Sequence, residues 1–538
     1  MIDPANRFDR AVTGRYEARE ADWRNGAIVY QVLVDRFAPS GRLDAKRHLY
    51  PAPKRLRAWA EEPRAGRYLE DQKLWSHEID FWGGDLASTL DRLDHVQQLG
   101  ADVLYLNPIV LATTNHKYDA LDYQQVSPEY GTREDVKRLA AALHRRGMKL
   151  VLDGVFNHMG RNSAAYRQAE AEAEAEVDAE RGGRRAVPSP ARAPAGGGRA
   201  AAGGASYRDW FVFGPQYAGG TRCWWNAQNL PELNLEHAAV RQHLWEAPDS
   251  VVRSWLRDGA DGWRLDVAFD IGFRHLEALT AAAQAEKPGA LVVGEIPNYP
   301  REWFPSVDGV MHFGLRRLMI ALANRTLDGA SFQRMVDRLV RDADYEHLLK
   351  SWVYLDNHDT ARIATTVPDD KARRLAQVLQ FTLPGSVNLY YGSEVGMAGG
   401  DDPEMRGPMR WDRVAANHPD LAWTKQLTAL RRAHRALRVG DFRTAEASGN
   451  IVAFERHTDR VADSVLVIAN PGLEPVATTV MLTNSKLMDG DSLVDQFTGQ
   501  VVNLQAGLVA TTVPAQTAWV LKPRLATAGG YSNFKRVQ

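Results

Sequence analysis

Alternation is the feature that most restricts what this chain can fold into. Short apolar runs that read as buried strands recur at residues 27–34, 102–106, 149–152, within 259–268, and at 290–294, 307–313, 352–355 and 387–391. Helical patterns stand between them. Leu86, Leu90, Leu93, Val96 and Leu99 share one helical face, closed by Gly100. Thr132 is a fitting N-cap for a helix running to Arg146 before Gly147, and a third helix is expected over about 238–258. Eight strands alternating with helices predict an α/β fold, a parallel (β/α)8 TIM barrel. A doubly wound sheet competes, but no Gly-rich dinucleotide loop follows the first strand.

The 538 residues exceed one ordinary domain. Residues 1–22 read as an N-terminal extension, and 23–158 with 238–437 as the barrel. Residues 159–237 are far longer than a loop between strand and helix requires, so they form an inserted domain after strand 3. Within it 168–205 is a low-complexity segment. Its acids lie four apart, which weakens a helix, and it is expected to be flexible. Short strands at 451–456, 464–469 and 518–521 mark a C-terminal antiparallel β-sandwich over 438–525, followed by a tail at 526–538.

Bulk properties exclude several functions. A net charge of -1 gives no long-range field for nucleic acid or an anionic membrane. No apolar run approaches the ~20 residues of a membrane span, and the N-terminus shows no signal-peptide pattern. The single cysteine, Cys223, excludes an intramolecular disulfide and a cysteine-based zinc cluster. A cytoplasmic protein is expected, with its oligomeric state left open. Fifteen tryptophans and seventeen tyrosines supply flat faces of the kind on which sugar rings stack.

Barrels present their reactive groups at the C-terminal ends of strands. There this sequence offers Asp153 with Asn157 and His158, Arg264 with Asp266, Glu295, and Asn357-His358-Asp359. Arg264 and Asp266 are two apart on a strand, so they leave one face. A structural ion pair is the plain alternative for those two residues alone. Asp153, Asn157 and Asp356 read as braces of strand ends, and His116 equally as an ordinary loop histidine. Paired carboxylates with aromatic surfaces suit glycosidic bond cleavage.

Four segments carry a family resemblance: 153–158 (DGVFNH), 262–266 (GWRLD), 293–295 (VGE) and 355–359 (LDNHD). In order and spacing they resemble the signature regions of the α-amylase family of glycoside hydrolases. That resemblance implies a barrel, an inserted B domain and a C-terminal β-sandwich. It implies Asp266 as nucleophile, held ionised by Arg264, Glu295 as general acid/base, and Asp359 as a third acid supporting the distorted ring. His158 and His358 would hydrogen-bond the sugar and Tyr118 would stack beneath it. Segments 115–119 (NHKYD), 224–234 and 402–412 look most like the cyclomaltodextrinase, maltogenic amylase and neopullulanase group. Arg406 and Trp225 are then further substrate contacts.

The expected activity is retaining hydrolysis of α-1,4-glucosidic bonds in maltooligosaccharides or cyclodextrins, releasing maltose, with transglycosylation in reach. An oligosaccharide α-glucosidase or an α-glucan glucosyltransferase is the alternative. A non-catalytic glycan-binding relative is the third, although all three acids are present. Asn115 replaces the aspartate usual in exo-acting glucosidases. Pro297 follows Glu295-Ile296 where the group carries a tryptophan directly after the acid, and Phe269-Asp270 replace a more polar pair. The first strand starts near Ala27, which leaves no room for the group's usual N-terminal β domain. The calcium ligands are incomplete: no Asp/Asn cluster follows Asp35-Arg36-Phe37 and no Lys-His follows the nucleophile strand. No cofactor is therefore expected, and activity should survive a chelator; loss restored by calcium would contradict this.

Overall fold

The structure is a computed structural model that describes residues 4–180, 206–489 and 492–525. The predicted strands are β1 (Ile28–Val32), β2 (Val103–Leu106), β3 (Lys149–Gly154), β4 (Gly262–Leu265), β5 (Leu291–Gly294), β6 (Gly309–Val310), β7 (Trp352–Val353) and β8 (Ser386–Tyr390). Neighbours pair in parallel from β1 through to β6, and β8 joins β7 to β1. The ring closes where Met311 bridges Trp352 and the His312 N–H donates to the Trp352 carbonyl at 2.9 Å. With no free edge, every strand can be buried on both faces.

Two-residue periodicity divides the core. Val29, Val103, Tyr105, Val151, Val293, Met311 and Trp352 fill the barrel interior. Their alternating neighbours, such as Tyr30, Leu104, Leu152 and Val292, pack outward against the helices. The helix Arg133–Arg145 begins where expected: Thr132 accepts the Asp135 N–H and the Asp135 side chain returns the bond.

Other helices are more broken than their patterns imply. The segment before Gly100 is two helices, Leu86–Leu90 and Leu93–Gln98. The one expected over 238–258 falls into Ala238–Arg241, a wider turn at Gln242–Glu246, and Val251–Arg257. Pro248 explains this break: it lacks an N–H and forces Ala247 to an extended ψ of 152°.

The insertion between β3 and β4 requires a correction. Its like charges four apart predict a weak helix, yet Ala164–Glu180 is an α-helix. Tyr166 and Ala169 are fully buried, with Tyr166 edge-on to Phe211 at 5.1 Å. The acids that would repel one another have partners. Glu170 pairs with Arg161 and Glu176 with Arg208, while Glu172 accepts the Tyr207 and Arg208 N–H groups. Packing and pairing outweigh a repulsion of a few tenths of a kcal/mol per pair. The rest of the low-complexity segment, 181–205, and the tail at 526–538 lie outside the described residues. Beyond the helix the insertion is stitched by bridges joining Phe211 to Leu233, Phe213 to Thr221, Cys223 to Pro231 and His158 to Glu232.

The chain from Asp441 to Pro523 forms a nine-stranded antiparallel sheet folded over Ile451, Ile468, Val480 and Trp519. The N-terminal extension is a helix, Pro4–Ala21. Its buried Tyr16 donates to Asp441 at 2.6 Å, and Arg19 reaches both Asp441 and Glu346 at 2.8 Å. The helix thereby ties barrel to C-terminal sheet.

Candidate active site

The predicted acids meet at the C-terminal end of the barrel. Asp153 belongs to β3, Asp266 and Glu295 directly follow β4 and β5, and Asp359 lies in the loop after β7. Arg264, fully buried, stands at their centre. Its Nη1 donates to Asp153 at 3.0 Å and to Asp266 at 2.9 Å. Its Nη2 is 2.9 Å from Glu295 Oε2, off the hydrogen-bonding direction. One guanidinium thus fixes three carboxylates from three strands. Arg264→Met would strand those carboxylates beside one another, at a cost of about 3–5 kcal/mol. A urea titration should show it as a lower midpoint.

Strain supports the placement. Val267, directly after Asp266, has φ 46° and ψ 40°, a left-handed conformation that a β-branched residue adopts at a cost of roughly 1–3 kcal/mol. There its N–H donates to Glu295 Oε2 at 3.0 Å. Lys117, directly before Tyr118, is likewise left-handed at φ 66° and fully buried against Glu129.

Arg264 acts to keep Asp266 ionised, as expected, but against two opposing influences. Burial and then the Glu295 carboxylate push the Asp266 carboxyl well above its usual range, and Arg264 opposes them without prevailing. Asp359 behaves differently. Burial acts to raise it too, but His358 and Arg406 hold it below the ordinary aspartate range. Its side chain is 40% exposed, against 9% for Asp266 and 16% for Glu295. Asp359 is therefore the acid most open to an incoming molecule.

Around the acids, Tyr118 is half-buried, its ring parallel to His358 at 5.4 Å and 7°. Its Oη lies 2.9 Å from Asp153 and accepts from Asn107 Nδ2 at 2.9 Å. His358 Nε2 lies 2.9 Å from Asp359, and Nδ1 is 2.8 Å from Gln31 Nε2. Arg406 joins Asp359 at 3.1 Å to Asp402 at 3.0 Å and donates to the His358 carbonyl at 2.8 Å. His158 sits deeper, 1% exposed beneath the Trp224 ring at 5.5 Å. Trp225 projects outward, 79% exposed on a left-handed turn.

The braces hold by contact. Asp153 also accepts from Tyr105 Oη at 2.5 Å, and Asp356 accepts from Ser393 and from the Ile363 N–H, both at 2.8 Å. His116 is no free loop residue: it stacks on Tyr118 and lies 3.2 Å from Glu78. Sequence reasoning missed Tyr105, Gln31, Asn107, His77 and Glu78. Tyr105 and Gln31 gave a signal, since a polar tip within a buried strand needs a partner; His77 and Glu78 gave none.

Burial also lowers the His158 imidazole to about 3 and the His312 imidazole to about 4. Below the unfolded value of about 6.5 the unfolded chain binds protons that the folded chain refuses. Stability is then lost as pH falls from that value toward the folded ones, with His158 contributing a slope of about 1.4 kcal/mol per pH unit. Urea midpoints measured between pH 7 and pH 4 should fall less steeply in His158→Gln.

Among the described residues no group of three or more His, Cys, Asp or Glu side chains is arranged to hold a metal ion. The Asp35 carboxylate accepts from the Trp82 and Gly83 N–H groups and from Arg36. A cavity of about 680 Å³ opens at the opposite end of the barrel, lined by Asp102, Arg146, Lys425 and Arg432 among others. None of Asp153, Asp266, Glu295 and Asp359 lines it.

A closed parallel barrel whose C-terminal end gathers three acids around a buried arginine is the framework of a carbohydrate-cleaving enzyme. Comparison with known proteins narrows this. Residues 31–425 match the family described as alpha amylase, catalytic domain. The chain belongs to the α-amylase family of glycoside hydrolases. It is 30% identical to a cyclomaltodextrinase of a Bacillus species, over 83% of this chain and 73% of that protein. It is 29% identical to neopullulanase 2 of Thermoactinomyces vulgaris, over 93% and 78%. Among solved structures, the cyclic α-maltosyl-(1→6)-maltose hydrolase of Arthrobacter globiformis superposes with a TM-score of 0.74 at 27% identity, covering 93% of this chain and 100% of that one. That enzyme has also been solved with its cyclic substrate and with maltose.

Proposed function

We propose that this protein is a retaining α-glucan hydrolase that cleaves α-1,4-glucosidic bonds in maltooligosaccharides and cyclodextrins and releases maltose. The observation that carries the reading is the single guanidinium of Arg264 gripping Asp266 and Glu295. A retaining pair must sit only ~5 Å apart, and a shared arginine enforces closeness. Catalysis begins with the proton on Glu295 and Asp266 bare. Burial and the Glu295 carboxylate work against a bare Asp266, and the Arg264 guanidinium works for it.

Asp266 then attacks the anomeric carbon while Glu295 gives its proton to the glycosidic oxygen. That C–O bond breaks, the acceptor sugar departs, and an ester joins the retained sugar to Asp266. Glu295, now a base, takes a proton from water, whose oxygen displaces Asp266. A sugar hydroxyl in place of water gives transglycosylation. Asp359 and Arg406 bind hydroxyls of the retained ring, Tyr118 stacks on it, and His158 and His358 complete its contacts. Trp225 serves the outer part of the substrate.

A second reading has its own support. It rests on the likeness to the cyclic α-maltosyl-(1→6)-maltose hydrolase, which superposes at 27% identity. Parallel incubation with β-cyclodextrin, maltotriose, pullulan, sucrose and the cyclic maltosyl-maltose, followed by product chromatography, separates the candidates. Maltose from β-cyclodextrin and maltotriose supports the first reading, and preference for the cyclic tetrasaccharide the second. Glucose from maltose alone indicates an α-glucosidase, and transfer from sucrose a glucosyltransferase. Turnover of none indicates a glycan-binding relative.

A cytoplasmic site of action accompanies this reading. Cys223, the single cysteine of the sequence, is a buried free thiol, which suits a reducing compartment. No described helix is long and apolar enough to cross a membrane.

A further inference from the structure

An exposed aromatic pair stands in the long loop after β1. Glu295 follows β5, so the acceptor leaves past the loops after β4 and β5. The retained part of a substrate then extends toward the loops after β7, β8 and β1. In the loop after β1, Tyr68–Leu69 pairs antiparallel with Leu74–Trp75, with Tyr68 directly opposite Trp75. Leu74 is 3% exposed, and strand alternation turns its neighbour the other way. Trp75 is 48% exposed and Tyr68 38%. Their rings meet edge to face at 5.5 Å, a geometry that fixes both.

Two routes join Trp75 to the reacting centre. Its ring stacks on His77 at 6.2 Å, and His77 Nε2 lies 3.1 Å from Asp402. Asp402 in turn holds Arg406, which holds Asp359. By the second route the Trp75 N–H donates to Glu78. The other oxygen of Glu78 lies 3.2 Å from His116, which stacks on Tyr118. The exposed rings therefore stand at the edge of the same connected set of side chains that forms the site, and the Trp75 N–H points to Glu78 within it. A purely structural hairpin would be served by Leu74 alone.

We propose that Trp75 and Tyr68 form a stacking platform for the glucose units beyond the reacting ring on its retained side, and so set preference for chain length. An α-1,4-linked glucan fits the site: each unit offers a flat C–H face to an aromatic ring and a hydroxyl rim to water. The inference rests on the α-glucan reading above.

The test compares kcat/KM for maltotriose and maltoheptaose in the wild type, Trp75→Ala and Trp75→Phe, with thermal melting as a check on the hairpin. The alanine variant is expected to lose about five- to tenfold more on maltoheptaose than on maltotriose, the scale of one aromatic stacking contact. Phenylalanine should restore most of that difference. Equal losses on both substrates, or none on either, would overturn the platform and leave the activity standing. A wild type that cleaves neither substrate would overturn both readings together.

Discussion

Asp266→Asn should lower kcat on maltotriose by at least about 10⁴-fold, the scale on which removal of a covalent nucleophile is felt. The substitution keeps size and an oxygen that accepts from Arg264 Nη1, now 2.9 Å away. It removes only the ability to become an anionic nucleophile. Because burial already raises the Asp266 carboxyl, a neutral amide there costs the fold little, and the melting temperature should stay close to wild type. A variant that folds yet keeps more than about a tenth of the wild-type kcat would show that Asp266 supports the site without attacking the sugar.

For Glu295→Gln the expected loss depends on the leaving group. On maltotriose the departing alkoxide needs a proton, and kcat/KM should fall by roughly 10²–10⁴-fold. On α-maltosyl fluoride the fluoride leaves without one, so the first step should be nearly spared. The amide oxygen can still accept the Val267 N–H that now meets Oε2 at 3.0 Å, which keeps the side chain aimed. Comparing the two substrates in one variant separates proton donation from mere positioning. An equal loss on both would assign Glu295 a structural part only.

The parts of this site that were legible in the sequence are those written into single segments. Each of Asp153, Asp266 and Glu295 closes a short apolar run, with Asp359 a few residues beyond another, and a strand end in a parallel barrel leaves little choice about where such a side chain goes. What joins those segments was not legible. Arg264 meets Asp153 across 111 residues, and only barrel register makes them neighbours. The electrostatics of Asp266 are only partly legible for a related reason. The stretch 262–266 displays the favourable arginine but conceals the burial and the approach of Glu295, which together outweigh it.

Local reasoning failed where packing competes with propensity. The acidic run at 170–178 reads as a poor helix until Tyr166 and Ala169 are buried and Arg161 and Arg208 take up its charge. The strained Val267 also left no trace, since a β-branched residue is a poor sign of left-handed backbone. Trp75 and Tyr68 belong with these: within a polar loop nothing marked them as exposed, and the buried Leu74 between them explains their direction.

The central claim, that Asp266 carries the sugar between two displacements, can be tested by trapping it. Glu295→Gln incubated with α-maltosyl fluoride should form the ester quickly and hydrolyse it slowly, because no base remains to activate water. Proteolysis and mass spectrometry should then find one maltosyl unit on the peptide that contains Asp266. A label on any other carboxylate, or fluoride released with net inversion at the anomeric carbon and no label, would contradict the account.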